Sequence, residues 1–377
     1  MDLLETIFTY ITDHKSLFIS GSAGTGKSTL IKQIITEAQM RNVNVVVSSS
    51  TGVSAVNLNS ESLFCSTVHS MLSLAVNPMT SMANMILYDK KQMNDIKAGN
   101  LDDLNINWFK LYENRKYLIE AEALIVDEIS MINCHTLHLI DYALRAIYSY
   151  QHKNQDELKP SNLSSLPIFG GKTLICLGDF HQLKPVVGEF CFESSLWSEF
   201  DNINLTVNFR QHEDELINML NKIRIGNIDD STLKLLNSLT GESKHKNGSY
   251  LFSTNSAANI KNKVSFATQS QNKEIFTYTM VMNNIETSPS NIEPTITLFV
   301  GMNVMLVFNI DIKAGLVNGA TGVVVNFVKG LPVVKFDKNL IVTIALKTWN
   351  YFDHHRKFVA SITQIPLKYN HAMTIHK

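Results

Sequence analysis

Cysteine is scarce in this sequence, and the few cysteines are scattered. Only four occur among 377 residues, at Cys65, Cys134, Cys176 and Cys191, and none is in CxxC spacing. This pattern excludes a common zinc framework and a disulfide scaffold. It indicates small, buried or half-buried thiols in a reducing compartment.

Long apolar runs and net charge are also lacking. No run approaches the roughly 20 residues that span a bilayer, and Met1 to Asp13 lacks a signal-peptide pattern. We therefore expect a soluble, intracellular protein, and the frequent Asn and Lys would suit an AT-rich genome such as that of a large DNA virus. The net charge of −1 means that a polyanion would have to bind in a local groove. The length allows about two domains.

The most informative segment that is present reads GSAGTGKST, at residues 21–29. It matches the phosphate-loop pattern of Gly, four residues, Gly, Lys and Ser or Thr. A short apolar strand at residues 16–20 precedes it, and apolar residues at helical spacing follow it. A Gly-rich turn between a strand and a helix N-terminus is an anion site, whereas a flexible Gly/Ser turn is the structural alternative.

The loop predicts contacts to a nucleotide along its whole length. Glycines allow successive backbone N–H groups to point at phosphate oxygens. Lys27 would neutralise the outer phosphates, and the Ser28 hydroxyl would bind Mg²⁺. The predicted nucleotide-binding residues are Gly21, Ser22, Ala23, Gly24, Thr25, Gly26, Lys27, Ser28 and Thr29.

Two further apolar strands end in polar side chains. The run at residues 122–131 delivers Asp127 and Glu128 to the edge of a sheet, where one carboxylate can orient Mg²⁺ and the next can activate water. Two solvated acids at a strand end are the alternative interpretation. The run at residues 172–185 ends in Gly178-Asp179, and Gln182 follows as a neutral side chain able to sense a γ-phosphate.

Other candidates are open to two interpretations. Thr51, after the β-branched run at residues 43–47, could hold a phosphate or cap a helix. Arg210, in the segment NFRQ, could start a helix in solvent or stabilise phosphate charge across a domain boundary. His69 in STVHS is more typical of a packed or capping residue than of a ligand.

The chain changes character twice. Residues from about 77 to 115 are polar and predict a surface insertion in the first domain. From residue 295 onward, short β-rich runs are broken by glycines, which is typical of hairpins and a small barrel.

Taken together, the ordered motifs resemble those of the petite-integration-frequency (Pif-type) helicases, in the 5′-to-3′ branch of superfamily 1. The resemblance runs over nearly the whole chain. The segments that carry it are GSAGTGKS, STGVSA, STVHS, VDEISM, GDFHQLKPV, NFRQ, VGMNVMLVFN with LVNGATG, and QIPLKYNHAMTIHK.

The resemblance implies an α/β fold of the P-loop NTPase type with tandem RecA-like parallel sheets, the first domain at residues 1–200 and a partial second domain at residues 201–377. A small SH3-like β-barrel, at about residues 319–361, would be inserted in the second domain. ATP would bind in the cleft and single-stranded DNA across the top, in replication, repair or recombination.

The resemblance also implies roles for individual residues. Lys27 and Ser28 would hold phosphate and Mg²⁺, while Asp127 would orient Mg²⁺ and Glu128 would activate water. Gln182 would couple nucleotide state to DNA, and Arg210 from the second domain would contact the γ-phosphate. The DNA contacts would come from Thr51, Thr67, His69, Thr374 and His376.

The sequence departs from the family pattern at three places. No glutamine precedes the phosphate loop in Met1 to Thr6 to read the adenine, and Lys184 replaces the first proline of the usual QLPP. The sequence stops at Lys377, before the motif with a second catalytic arginine. The leading hypothesis is an ATP-dependent 5′-to-3′ DNA helicase; the alternatives are a truncated nucleotide- and DNA-binding module, and a P-loop ATPase acting on protein partners.

Overall fold

A computed structural model describes residues 2–50, 65–72, 91, 94, 111, 116–152, 165–240, 249–284, 293–308, 310–311, 314–336, 340–352 and 358–374. The chain divides into two compact units, Met1–Thr240 and Gly241–Lys377. Almost all of the predicted insertion lies outside the described residues. In the parts that are described, no helix is long and apolar enough to cross a membrane.

The first unit is built on a six-stranded parallel sheet. Its strands follow the order β3-β2-β4-β5-β1-β6. Strands β2, β4 and β5 are buried along their whole length, as their β-branched and aliphatic runs predict. The strands are β1 (Ser16–Gly21), β2 (Val45–Ser49), β3 (Cys65–Thr67), β4 (Ala123–Asp127), β5 (Thr173–Gly178) and β6 (Phe200–Leu205).

Helices cover both faces of this sheet. One apolar cluster includes Ile7, Ile31 and Ile34 from the first two helices, and another includes Leu137 and Ile140 from the long fourth helix. The described helices are α1 (Leu3–Thr12), α2 (Lys27–Arg41), α3 (Val68–Met71), α4 (Cys134–His152), α5 (Asp214–Arg224) and α6 (Asp230–Ser238). The sheet is therefore doubly wound, which leaves the carboxyl ends of its strands open to a ligand.

The second unit contains a short parallel pair and several antiparallel strands. Its one described helix, α7 (Asn255–Gln269), follows strand β7, which pairs in parallel with β18. The described strands are β7 (Tyr250–Phe252), β8 (Phe276–Thr279), β9 (Val281–Asn283), β10 (Thr295–Leu298), β11 (Asn303–Leu306), β12 (Thr321–Val328), β13 (Leu331–Phe336), β14 (Ile341–Thr343), β15 (Lys347–Phe352), β16 (Phe358–Gln364), β17 (Leu367–Tyr369) and β18 (Ala372–Thr374).

The antiparallel strands form separate sheets around a small core. A five-stranded sheet has the order β14-β13-β12-β11-β17, and a three-stranded sheet has the order β15-β16-β9. Leu298, Phe299, Val304, Val324 and Val334 are buried in the associated core. Within the described residues the five-stranded sheet is open, so the predicted β-rich structure is present but a closed barrel is not seen there.

The predicted α/β class and the strand–loop–helix order around the phosphate loop are confirmed. Strand β6 pairs with β1 at the edge of the first sheet, and the division into compact units falls at Thr240. The domain boundary placed at residue 200 from the sequence, and the limits of the insertions, remain predictions.

Candidate nucleotide site

The phosphate loop connects the carboxyl end of β1 to the first turn of α2. Lys27 is the first residue of that helix, and its side chain folds back over the loop. Its Nζ donates hydrogen bonds to the carbonyl oxygens of Gly21, at 2.7 Å, and Ser22, at 3.2 Å. The side chain is 9% exposed. A buried ammonium held by two carbonyls is thus present at the helix N-terminus, where anions bind.

The conformation of the loop depends on glycine. Gly24 and Gly26 have φ values of +90° and +84°, in the left-handed region that other residues rarely adopt. A Cβ at Gly24 would lie 2.7 Å from Asn208 Oδ1 and 2.8 Å from Arg210 Cβ. Gly24 therefore provides both the backbone turn and the space into which the segment at residues 208–210 packs.

That segment is tied to the phosphate loop by two hydrogen bonds. Asn208 Nδ2 donates to the carbonyl oxygen of Ala23 at 3.0 Å, and the Phe209 N–H donates to that of Gly24 at 2.8 Å. Asn208 Oδ1 accepts from the N–H groups of Arg210 and Gln211. Arg210, the arginine predicted to contact phosphate, therefore has its Cβ atom beside Gly24 and belongs to the first compact unit.

Asp127 and Glu128 lie at the carboxyl end of β4. Asp127 is 3% exposed, and its Oδ1 accepts a 3.0 Å hydrogen bond from the Glu128 N–H. Burial, with the nearby charge of Glu128, raises the pKa of Asp127 to about 6, although that hydrogen bond and Lys27 oppose the shift. Glu128 has a φ of +56°, so the chain turns sharply where the second carboxylate projects.

The cation and the carboxylates are close enough to influence one another. Burial lowers the pKa of Lys27, and Glu128, Asp179 and Asp127 act in the opposite direction. These acids belong to the ends of two neighbouring strands, β4 and β5, while the lysine follows β1 on the other side of β5. The structure thus brings Lys27, Asp127 and Glu128 together at the carboxyl ends of the sheet's strands, as the sequence predicts.

Asp179 is the centre of a polar cluster directly after β5. It is 1% exposed and accepts two hydrogen bonds from Arg224, from Nε at 2.7 Å and from Nη2 at 2.6 Å. The His181 N–H donates at 3.1 Å, and Gln182 Nε2 donates at 3.2 Å. Burial alone would raise the pKa of Asp179, but these donors outweigh it and the pKa lies below its ordinary value.

The predicted metal-binding residues differ in exposure. The Ser28 hydroxyl belongs to an exposed residue in the first turn of α2, whereas Asp127 is buried at the end of β4. Both supply hard oxygen atoms, the type of ligand that Mg²⁺ prefers. Their joint role in holding a metal remains a prediction.

The predicted DNA-contact residues are divided between the two compact units. In the first unit, Thr67 caps α3 by accepting a 3.2 Å hydrogen bond from the Ser70 N–H. His69 is half-buried in that helix, and burial lowers its pKa. In the second unit, Thr374 donates to Asn255 Oδ1 at 3.3 Å and is 5% exposed. Thr51 and His376 lie outside the described residues, so all five assignments remain predictions.

Sequence reasoning missed two residues of this site and undervalued a third. Asn208 and Arg224 had no assigned role, and Asp179 was noted only as a strand end. Arg224 ends α5 and carries no motif, so its pairing with Asp179 could be found only in three dimensions. Asn208 stands inside a recognised motif, but its bond to Ala23 spans 185 positions.

Comparisons with known proteins agree with this architecture. The PIF1-like helicase family model matches residues 95–234, and the model of the DNA helicase Pif1 2B domain matches residues 292–327. An AAA domain model matches residues 5–146. The first and third of these models match the first compact unit, and the 2B-domain model matches the second.

Curated relatives resemble nearly all of this chain. ATP-dependent DNA helicase PIF1 of Xenopus laevis is 28% identical over 96% of the chain and 53% of its own length. PIF7 of Trypanosoma brucei brucei is 26% identical over 99% of the chain and 41% of its own length. The chain therefore spans about half the length of these relatives.

Solved Pif1 helicase structures superimpose on the full chain. The Candida albicans structure has a TM-score of 0.73 and 26% identity, covering 100% of this chain and 85% of that one. The Bacteroides structure in complex with ADP-AlF3 and ssDNA has a TM-score of 0.72 and 26% identity, covering 100% and 83%. Sequence and fold therefore relate the whole of this chain to the Pif1-type helicases of superfamily 1.

Proposed function

We propose that this chain binds ATP with Mg²⁺ at the phosphate loop and hydrolyses it to drive 5′-to-3′ movement along single-stranded DNA. The observation that carries the proposal is the convergence of Lys27, Asp127 and Glu128 at the carboxyl ends of the parallel strands. Lys27 begins the helix after β1, Asp127 ends β4 and Glu128 follows it, and β5 alone separates these two strands. The carboxyl ends of the strands are the usual ligand position in such sheets. Lys27 would supply the cation that binds phosphate, Asp127 the carboxylate that binds the metal, and Glu128 the general base.

The residues present suit a magnesium ion. Mg²⁺ usually binds through one or two carboxylates, the nucleotide phosphates and several waters. The described residues contain no group of three acidic, His or Cys side chains that could cage a metal, and such a cage is not needed. Asp127 and Ser28 would hold the ion, which when bound would neutralise phosphate charge during transfer.

The chain's own groups would then divide the reaction. Lys27 would exchange the carbonyl oxygens of Gly21 and Ser22 for oxygens of the outer phosphates. Glu128 would orient a water molecule and accept its proton as the water attacks the γ-phosphorus atom. Arg210, anchored beside Gly24, would stabilise the charge of the transferred group.

Gln182 would couple the nucleotide state to DNA binding, and its side chain donates a hydrogen bond to Asp179. In the proposed cycle, ATP closes the two domains on the strand, and hydrolysis reopens them. Thr51, Thr67, His69, Thr374 and His376 are the proposed DNA contacts. The Bacteroides relative, solved with ADP-AlF3 and ssDNA, supports this pairing of ligands. A role in replication, repair or recombination, with protein partners from those processes, is proposed from the same relationship.

Duplex unwinding tests the direction of movement. The substrates are two partial duplexes of the same sequence, one with a 5′ single-stranded tail and one with a 3′ tail. We expect ATP-dependent unwinding of the 5′-tailed substrate only. Unwinding of the 3′-tailed substrate would contradict the direction. Binding of ATP and DNA without unwinding of either would favour a nucleotide- and DNA-binding module.

A further inference from the structure

The ion pair between Arg224 and Asp179 links helix α5 to the edge of the sheet that carries the nucleotide site. Arg224 is the last residue of α5, and its guanidinium donates through Nε and Nη2 to both oxygens of Asp179. A two-point contact of this kind fixes direction as well as distance. The pair lies within the first compact unit and joins residues 45 positions apart.

Asp179 passes this restraint on to Gln182. The same Oδ2 that accepts from Arg224 Nε accepts from Gln182 Nε2, and the Gln182 N–H donates to the Asp179 carbonyl oxygen at 2.9 Å. The Gln182 residue is otherwise exposed. Its orientation at the sheet edge therefore depends on the buried carboxylate, and the carboxylate depends on Arg224.

The apolar side chains of helix α5 are at most half-buried, so polar contacts at its two ends help to fix its position. None of its side chains is buried in the core, although the helix is strongly amphipathic in sequence. Before it, the segment at residues 208–210 is fastened to the phosphate loop through Ala23 and Gly24. Its last residue is fastened to Asp179. Both attachments thus lead to the nucleotide site.

Arg224 also acts electrostatically on the phosphate loop. Burial is the main cause that lowers the pKa of Lys27; among the nearby charges, Asp179 raises that pKa and Arg224 makes a smaller contribution that lowers it. The guanidinium therefore lies within electrostatic range of the ammonium that would bind the outer phosphates. Because Asp179 neutralises Arg224 locally, removing either partner would change the field at those phosphates as well as the position of Gln182.

We propose that Arg224 is a positioning residue that holds Asp179, and through it Gln182, so that the site distinguishes ATP from ADP and transmits that difference to α5. The proposal rests on the proposed function, since it assigns this device to the same nucleotide site. Arg224 donates hydrogen bonds to both oxygens of Asp179. It therefore acts through Asp179, and the proposal does not require it to touch the nucleotide.

The test compares affinities for fluorescent ATP and ADP analogues in the full chain. Arg224→Gln should reduce the preference for ATP over ADP about tenfold, the scale of one lost hydrogen bond to a charged group. Affinity for ADP should change little. Arg224→Lys keeps the positive charge but loses the two-point hydrogen bonding of the guanidinium, so it should retain more of the preference for ATP than Arg224→Gln does.

The matched control is Lys222→Gln, on the same helix. Lys222 pairs with Asp229 at 2.5 Å, but both side chains are 43% exposed and neither approaches Asp179 in the described contacts. This variant should keep the unaltered preference. A general weakening of α5 would instead affect both variants alike.

A double-variant cycle decides whether Arg224 acts through Gln182. If it does, adding Arg224→Gln to Gln182→Ala should cause no further loss of ATP preference. Additive losses of ATP preference in the double variant would overturn the proposed route through Gln182. If Arg224→Gln lowered the stability of the protein but left its preference for ATP unchanged, the pair of Arg224 and Asp179 would have only a structural role. If the unaltered chain bound neither nucleotide, the proposed function would fail, and this inference with it.

Discussion

Lys27 Nζ donates a 2.7 Å hydrogen bond to the carbonyl oxygen of Gly21, six residues earlier in the same loop. The cation proposed to bind phosphate thereby satisfies part of its own hydrogen-bonding capacity within the loop. Burial lowers its pKa, and three nearby carboxylates only partly oppose that effect. A ligand rich in negatively charged oxygens can replace the two carbonyls at small cost, because it offers stronger charge-assisted bonds.

Replacing Lys27 by Ala should abolish ATP turnover and weaken ATP binding while leaving some DNA affinity. The lost ammonium is the group proposed to neutralise the outer phosphates, whereas the proposed DNA contacts come from other residues. Equilibrium titration with a fluorescent ATP analogue and with labelled single-stranded DNA measures both effects. Lys32→Ala, at an exposed position of the same helix, is the control. Loss of both affinities together with loss of helical circular dichroism would mean that the unit had unfolded.

Replacing Glu128 by Gln should trap ATP without hydrolysing it. The amide keeps the shape of the side chain but cannot accept the proton of the attacking water, and losing a general base typically costs about 10²- to 10⁴-fold in rate. Rapid-quench measurement of a single turnover separates this step from binding. Glu120→Gln, at an exposed residue of the same unit, should behave as the unaltered protein. Undiminished turnover would remove Glu128 from the mechanism.

Replacing Gly24 by Ala should disrupt nucleotide binding, because two effects combine there. The backbone has a φ of +90°, and the new Cβ would come within 2.7 Å of Asn208 Oδ1. Gly226→Ala is a matched control, since its φ is +74° but no atom lies within 4 Å of the added Cβ. The control should lose about 1 kcal/mol of stability from backbone strain and keep its ATP affinity, measured by calorimetry. Equal losses of affinity in both variants would contradict the steric argument.

The Asp179 cluster should make the stability of the first unit sensitive to acid. Arg224, the His181 N–H and Gln182 face the carboxylate and hold its pKa below the ordinary value, despite burial. A depressed folded-state pKa contributes stability above the unfolded-state pKa, and that contribution is lost as pH falls through the folded-state pKa. Asp179→Asn should therefore destabilise the protein at pH 7 by about 1 to 3 kcal/mol.

The destabilisation by Asp179→Asn should shrink as the pH falls below about 4, because the carboxylate of the unfolded chain then binds a proton while the folded-state carboxylate, whose pKa is lowered, stays charged to lower pH. Urea unfolding followed by circular dichroism at several pH values gives the comparison. Asp201→Asn provides a control, since Asp201 accepts from Tyr10 at an exposed position. A difference between the Asp179 variant and the unaltered protein that stayed constant down to pH 3 would show that the charge of Asp179 does not stabilise the fold.

The sequence predicts the parts of the site that are local along the chain. The strand, glycine turn and helix around Lys27 occupy consecutive residues, and Asp127 and Glu128 follow a buried strand directly, so pattern and chemistry suffice. Parallel pairing then brings these strand ends to one edge. This much of the first unit follows from hydrophobic runs, glycines and the position of charges.

The remaining contacts depend on how distant segments pack, which no local pattern specifies. Asn208 meets Ala23 across 185 positions, and Arg224 meets Asp179 across 45. Helix α5 is an example: its side chains are at most half-buried, and the ion pair between Arg224 and Asp179 helps to fix its last turn. In the second unit, glycine-broken runs predict strands but do not give the order β14-β13-β12-β11-β17 in which the described strands pair.

The central claim is that the site around Lys27, Asp127 and Glu128 hydrolyses ATP in response to DNA. Steady-state ATP hydrolysis by this chain, with and without single-stranded DNA and with Lys27→Ala as the reference, tests it most directly. We predict measurable hydrolysis that single-stranded DNA stimulates strongly and that the Lys27 variant lacks. Hydrolysis unaffected by single-stranded DNA, or equal in the Lys27 variant, would contradict the account.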